Sequence, residues 1–279
     1  MQSAARSLCG GLGHLSRGRI DVSLDHALCA QLMHRPTPLM YESVKEILRF
    51  AWAHEDVLTV HNVTNLEQLI FTGGEPIRPY DEEVARYLYG MSDANHADPQ
   101  RTETGSKSMG GYAIMLASAV IDWKAWRFHT LTTDITSGET LAASRLAARL
   151  VYFNALLRFL GAPPSAGTPL LSDNDGVWYV ARDATTVTKM TYVIRHVRFI
   201  QQTQHQEETK VFQVDGKLNP VDTLSKWLDA CDRVRHYLFL MGKPKEARTM
   251  WRLSKAFASY KPKRIVPVPT DGAVSSTTT

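Results

Sequence analysis

Apolar residues recur at helical spacing near the start of the chain. Ile20, Leu24, Ala27, Leu28 and Leu32 lie on one stripe across residues 20–33. Arg35-Pro36-Thr37-Pro38 interrupts it, and Thr37 is suited to cap a new helix whose first position takes Pro38. Val44, Ile47, Leu48 and Ala51 continue as a second stripe, so the first 55 residues are predicted to form a helical hairpin. Residues 56–70 shift to a β-type composition. Thr72-Gly73-Gly74-Glu75-Pro76, with Pro79, then marks a loop and a domain boundary.

Beyond that boundary the pattern changes to short strands, predicted over 87–92, 111–116 and 120–123 with a polar loop at 94–108. Ala142, Leu146, Leu150, Phe153, Leu157 and Leu160 keep one face of a long helix apolar until Gly161-Ala162-Pro163-Pro164 stops it. Leu170-Leu171 reads as a short buried strand running into Asp173. Val187, Met190, Ile194 and Val197 define another helix, 211–214 another strand, and Asn219-Pro220 opens a last helix through Leu224 and Leu228. The order β-β-β-α-β-α-β-α implies an α/β fold, a mixed five-stranded sheet with flanking helices. The organisation expected is therefore a helical segment (1–80), a sheet domain (81–242) and a tail (243–279) that ends in a Pro/Ser/Thr-rich, disordered stretch.

Composition adds exclusions. With 279 residues, 44% hydrophobic and 22% charged, the chain has ample apolar surface for a core, which excludes chain-wide disorder. No apolar run approaches the roughly 20 residues of a membrane span, and residues 1–19 lack the apolar block of a signal peptide. Cys9, Cys29 and Cys231 are too few and too far apart for a disulfide framework or a zinc motif, so they are read as buried apolar residues in a reducing, intracellular compartment. The net charge of +4 is concentrated at one end: residues 243–264 carry eight Lys or Arg against one Glu, a cluster able to grip phosphates or to stand as a solvated tail.

The candidate chemistry lies in four carboxylates on strand ends and helix starts: Asp93, Glu139, Asp173 and Asp222. A mixed sheet can bring such positions to one edge, where four like charges need a cation. Oxygen ligands suit Mg²⁺, and a pair of such ions can drive phosphodiester cleavage. Taken singly, each acid also has an ordinary role, as a loop cap, an Asx turn or a dipole-favoured helix start. Asp134 and Asp175, close in sequence, read as solvated acids or outer groups. Among the aromatic residues, Trp123, Trp126, Trp178 and Trp227 have faces on which bases can stack, Trp123 reading more as core. His129 and His205 stand as candidates for proton transfer or product release.

These motifs, in order, resemble the C-terminal part of a copia-type LTR retrotransposon polyprotein. Arg6 to Leu12, Ser16-Arg17, Ile20-Asp21 and Lys45 to Phe50 resemble the thumb or connection of its reverse transcriptase. Ser92-Asp93-Ala94, Ile121-Asp122-Trp123-Lys124, Glu139, Asp173-Asn174, Thr188-Lys189, Ile194 to Ile200 and Asp222-Thr223-Leu224-Ser225-Lys226 resemble successive motifs of its ribonuclease H domain over about 220 residues. The resemblance implies a ribonuclease H-like fold preceded by a small helical remnant of the polymerase. It implies a metal-dependent endonuclease that hydrolyses the RNA strand of RNA–DNA hybrids, with Asp93, Glu139, Asp173 and Asp222 as ligands of two Mg²⁺ or Mn²⁺ ions. Asn174, Thr188, Lys189 and Arg195, with Arg198, would contact the hybrid, and the upstream reverse-transcriptase domain would be a partner. The polymerase's paired-aspartate motif is missing, so no DNA synthesis is expected from this stretch, which reads as a fragment or a truncated element.

The chain departs from the family at Asn95, at Met190 and at Ser137-Gly138, where Gly lowers helix propensity just before Glu139. The departures support an alternative: a catalytically inactive ribonuclease H-like module that binds nucleic acid or packs on a polymerase. An integrase-type nuclease ranks behind both, because its acidic triad has different spacing and lacks the Asp222 motif.

Overall fold

The computed structural model describes residues 2–54, 88–96, 108–116, 119–129, 131–132, 134–164, 167–182, 191–214, 216 and 219–242. The boundary loop at 72–79, Thr188, Lys189 and the basic cluster at 243–264 lie outside the described residues.

Alternating side chains make both faces of the sheet apolar. Strands β1 (Leu88–Asn95), β2 (Met109–Leu116), β3 (Ala119–Arg127), β4 (Thr168–Ser172) and β5 (Thr209–Gln213) form one sheet in the order β3-β2-β1-β4-β5. β1, β2 and β3 pair antiparallel, whereas β1–β4 and β4–β5 are parallel. On one face Leu88, Ile114, Leu170 and Val211 pack under helix α4 (Ile135–Phe159) through Leu146 and Leu150, and under Ile200 of helix α6 (Ile194–His205). On the other face Met91, Met115 and Leu171 pack against Leu224 of the short helix α7 (Asp222–Ser225) and Leu240 of helix α8 (Ala230–Leu240). This is the α/β arrangement expected from the sequence, a mixed five-stranded sheet with flanking helices.

Close approach sets the position of α4. A Cβ at Gly90 of β1 would lie 2.5 Å from Leu146 Cδ1, so the glycine gives the buried Leu146 side chain of α4 its room against the strand. Asp134 accepts hydrogen bonds from Ser137 N (2.7 Å) and Ser137 Oγ (2.7 Å), which makes it the N-cap of α4, and it stays exposed, as expected of a solvated acid. That cap offsets the low propensity of Gly138.

Several expectations are corrected. The N-terminal region holds three helices, not a hairpin: α1 (Gln2–Leu15), α2 (Ser23–Gln31) and α3 (Pro38–Ala53), with a 3-10 turn at Ile20–Val22 splitting the stripe over 20–33. The Gly10, Gly11 and Gly13 of α1 hid it from propensity, yet Ala5, Cys9 and Leu12 bury one face against the other two helices. An unforeseen helix α5 (Asp175–Arg182) follows β4 directly. The last predicted helix breaks after Ser225, because Asp229 caps α8 by accepting from Asp232 N at 2.9 Å. Cys231 is exposed, contrary to the reading of all three cysteines as buried.

The N-terminal helices dock on the sheet's α7–α8 face. Trp123 Nε1 donates to Ser16 O (3.2 Å), Tyr237 Oη to Asp21 O (3.0 Å), and Arg233 pairs with Asp25 at 2.6 Å.

Candidate metal centre

Three elements deliver carboxylates to one point at the edge of β1. Asp93 stands on β1, Glu139 on the first turns of α4, and Asp173 just beyond β4. One oxygen from each lies within 4.8 Å of the others. Parallel pairing of β1 with β4 puts the ends of both strands at the same edge, and the close seat of α4 brings Glu139 over them. The Ala94 amide donates to Glu139 Oε1 at 3.0 Å. Asn219 Nδ2 donates to Ser92 O at 3.0 Å, tying the chain before α7 to β1. A Cβ at Gly216 would come within 2.8 Å of Asp173 Oδ2, so the glycine leaves that carboxylate its room.

Asp222 joins differently. Its Oδ1 faces Lys226 Nζ at 2.9 Å, and the same ammonium stands 3.6 Å from Asp93 Oδ1. Ser225 Oγ donates to the other Asp93 oxygen, Oδ2. Asp222 is thus linked to Asp93 through Lys226 and lies outside the three-carboxylate group.

Burial and crowding raise the acids. Burial, then the Asp93 and Asp173 charges, holds Glu139 well above the usual carboxylate range. Burial and Asp93 push Asp173 up to about 6 and Asp222 up to about 9. Burial works to lower Lys226, but Asp93 and Asp222 more than reverse it and keep the ammonium charged. Glu139 Oε2 and Asp173 Oδ1 are buried with no hydrogen-bond partner, and Glu139 is only 3% exposed. Buried carboxylate oxygens without donors, converging within 4.8 Å, fit a hard divalent cation.

The other expected positions distribute around this centre. Asn174 Oδ1 accepts from Gly176 N at 2.8 Å, which occupies its side chain in the turn that starts α5. Asp175 is exposed in the first turn of that helix. Arg195 is exposed on α6 and lines a cavity of about 550 Å³ with Trp126, Phe128, His129, Arg145, His196 and Phe199. This cavity runs along α4 from Leu141 to Ala148, the turns that follow Glu139. The Arg145 guanidinium lies 4.5 Å from the Trp126 ring centre. Trp227 stays exposed beside Arg233, while Trp123 is half-buried against the α7–α8 core. His129 and His205 stand outside the acid group. The sequence reasoning missed Lys226 as a site residue, although its position four residues after Asp222 was a legible ion-pair spacing.

Over 221 residues the chain is 23% identical to the retrovirus-related Pol polyprotein from transposon RE2 of Arabidopsis thaliana. It is similar to part of a retrotransposon Pol polyprotein. The corresponding polyprotein from transposon RE1 of the same plant is 22% identical over 221 residues. Both alignments take in 79% of this chain and only 14% of the relative, so the chain spans a small part of these polyproteins. No family model matches it. The crystal structure of RNase H1 from Halobacterium salinarum NRC-1 aligns with 50% of this chain and 93% of that one, at 10% identity and a TM-score of 0.36. Among the described residues no helix is long and apolar enough to cross a membrane.

Proposed function

We propose that this chain is the ribonuclease H part of a retrotransposon polyprotein, a divalent-metal-dependent endonuclease acting on the RNA strand of RNA–DNA hybrids. The observation that carries the reading is the convergence of buried Asp93 and Glu139 with half-buried Asp173, with partnerless oxygens on Glu139 and Asp173. Mg²⁺ or Mn²⁺ suits these oxygen donors, and when bound it supplies positive charge for the attacking water and the leaving oxygen of a phosphodiester. Asp93 and Glu139 are held in place by Ser225 Oγ and the Ala94 amide; the second Asp93 oxygen stands 3.6 Å from the Lys226 ammonium, and Glu139 Oε2 is left without a donor. Asp222 contributes through Lys226. The products are a 5′-phosphate and a 3′-hydroxyl.

Arg195 and Arg145, beside Trp126 and Phe128, offer phosphate and stacking contacts next to the acids. Thr188, Lys189 and the basic stretch at 243–264 are further phosphate contacts in this reading, and selectivity for RNA comes from its 2′-hydroxyls. The upstream reverse-transcriptase domain of the polyprotein is the proposed partner.

A second reading, an inactive ribonuclease H-like module, draws on one observation: Lys226 already neutralises part of the acid cluster. Cleavage of a labelled hybrid by wild type and by Asp173→Asn, with Mg²⁺ or Mn²⁺, separates the two. Metal-dependent cutting of the RNA strand that the substitution abolishes is expected. A folded wild type that binds the hybrid without cutting it would favour the inactive module.

A further inference from the structure

The acid cluster is divided by what faces each oxygen. Both oxygens of Asp93 are engaged from the α7 end, Oδ2 by Ser225 Oγ and Oδ1 by the Lys226 ammonium at 3.6 Å. The same ammonium is 2.9 Å from Asp222 Oδ1. Glu139 Oε2 and Asp173 Oδ1 are buried with no hydrogen-bond donor, and Asp222 Oδ1, which also lacks one, is held by its ion pair with the ammonium. One half of the cluster therefore carries its own covalent cation, and the other half does not.

Lys226 is fixed there by the backbone. Its amide donates to Asp222 O at 3.0 Å, ending α7, and its extended conformation (φ −142°, ψ 158°) starts the segment leading to α8. Its side chain is two-thirds covered and runs back over the helix end to the two aspartates. A divalent ion shared by Asp93 and Asp222 would need both oxygens at about 2.1 Å and would stand against the ammonium. Charge points the same way. With all four carboxylates ionised, one ammonium and one divalent ion leave a single negative charge, whereas a second divalent ion would leave the buried site positive.

We propose that Lys226 takes the place of the second cation, so that the site binds one divalent ion, at Asp93, Glu139 and Asp173. The inference rests on the metal-dependent reading above and changes the two ions implied by the family resemblance to one ion and one lysine. Lys226 is then a positioning residue, holding Asp93 and Asp222 together without drawing on the metal pool.

The test counts Mn²⁺ bound to the full chain, from the loss of the free-ion electron paramagnetic resonance signal. Wild type is compared with Lys226→Met, which keeps the length of the side chain and removes its charge. One ion per wild-type chain and two per Lys226→Met chain are expected. Two ions in wild type, or one in a folded Lys226→Met, overturn the inference while leaving the metal-dependent reading intact. No bound Mn²⁺ in wild type overturns both. Should Lys226→Met fail to fold, Asp222→Asn serves instead. It is expected to keep the single ion, since Asp222 faces lysine and not metal, and loss of that ion would overturn the inference.

Discussion

The amide of Ala94 donates to Glu139 Oε1 at 3.0 Å, so the strand that carries Asp93 also orients the glutamate of helix α4. The bond needs an acceptor at Oε1 but not a charge. Glu139→Gln can therefore keep it while removing one of the crowded negative charges. We expect the substitution to stabilise the metal-free protein by about 1–2 kcal/mol, a rise of several degrees in melting temperature, because Glu139 is buried beside Asp93 and Asp173. The same change should abolish metal-dependent stabilisation and hybrid cleavage. Thermal melts in chelator and in Mn²⁺ check both signs, and a destabilised metal-free variant would contradict the crowding argument.

Stability should also depend on pH in a definite sense. Asp173 is raised to about 6 and Asp222 to about 9, from an ordinary value of 3.8. Above 3.8 the unfolded chain releases these protons while the folded chain still holds them. Their contribution to stability is therefore complete below 3.8 and declines as pH rises, up to about 6 for Asp173 and about 9 for Asp222. In chelator, melting temperature is expected to fall between roughly pH 5 and 8, and added Mg²⁺ should remove most of that fall by neutralising the carboxylates. A melting temperature in chelator that climbs steadily over this range would count against it.

Gly111 of β2 is paired with Asp93 of β1, and a Cβ there would lie 2.7 Å from Leu224 Cβ and 3.2 Å from the Leu224 carbonyl carbon. The obstacle includes backbone, so α7 itself must shift, and with it Asp222, Ser225 and Lys226. Gly111→Ala should cost about 1–3 kcal/mol in denaturant unfolding and lower cleavage by more than the lost folded fraction. Wild-type stability in this variant would show that α7 has slack the packing does not suggest.

The strands and α4 were legible because alternation and the 3.6-residue repeat both report burial, as in Met91 and Met115 on one face and Leu146 and Leu150 over the other. Glycine-rich α1 was not, since its three glycines speak against a helix and only tertiary packing on Cys9 and Leu12 holds it. Short α5 was lost for a similar reason: Asn174 and Gly176 look like turn residues and in fact form the turn that begins it. Asp93, Glu139 and Asp173 could be named from position and resemblance, but their separation from Asp222 could not. That division depends on where the Lys226 side chain folds back, a matter of rotamer and local chain break at Ser225 rather than of residue type.

The cavity beside the acids predicts how nucleic acid is held. Arg195 is exposed on α6 and lines the cavity, and its neighbour His196 is turned to Ser144 Oγ at 3.0 Å. Across the cavity Trp126 is in edge contact with Phe128 and covered by Arg145, a rigid aromatic wall beside a basic one. Arg195→Ala removes a charge without touching the core, so folding should be unchanged. Hybrid binding, measured in the Glu139→Gln background to prevent cleavage, should weaken several-fold at low salt. If Arg195 contacts one phosphate, the slope of log affinity against log salt should flatten by about 0.9. Trp126→Ala should behave differently, losing stability as well as affinity, because its ring also packs against Tyr112 at 5.9 Å. A salt slope unchanged by Arg195→Ala would move the hybrid away from this cavity.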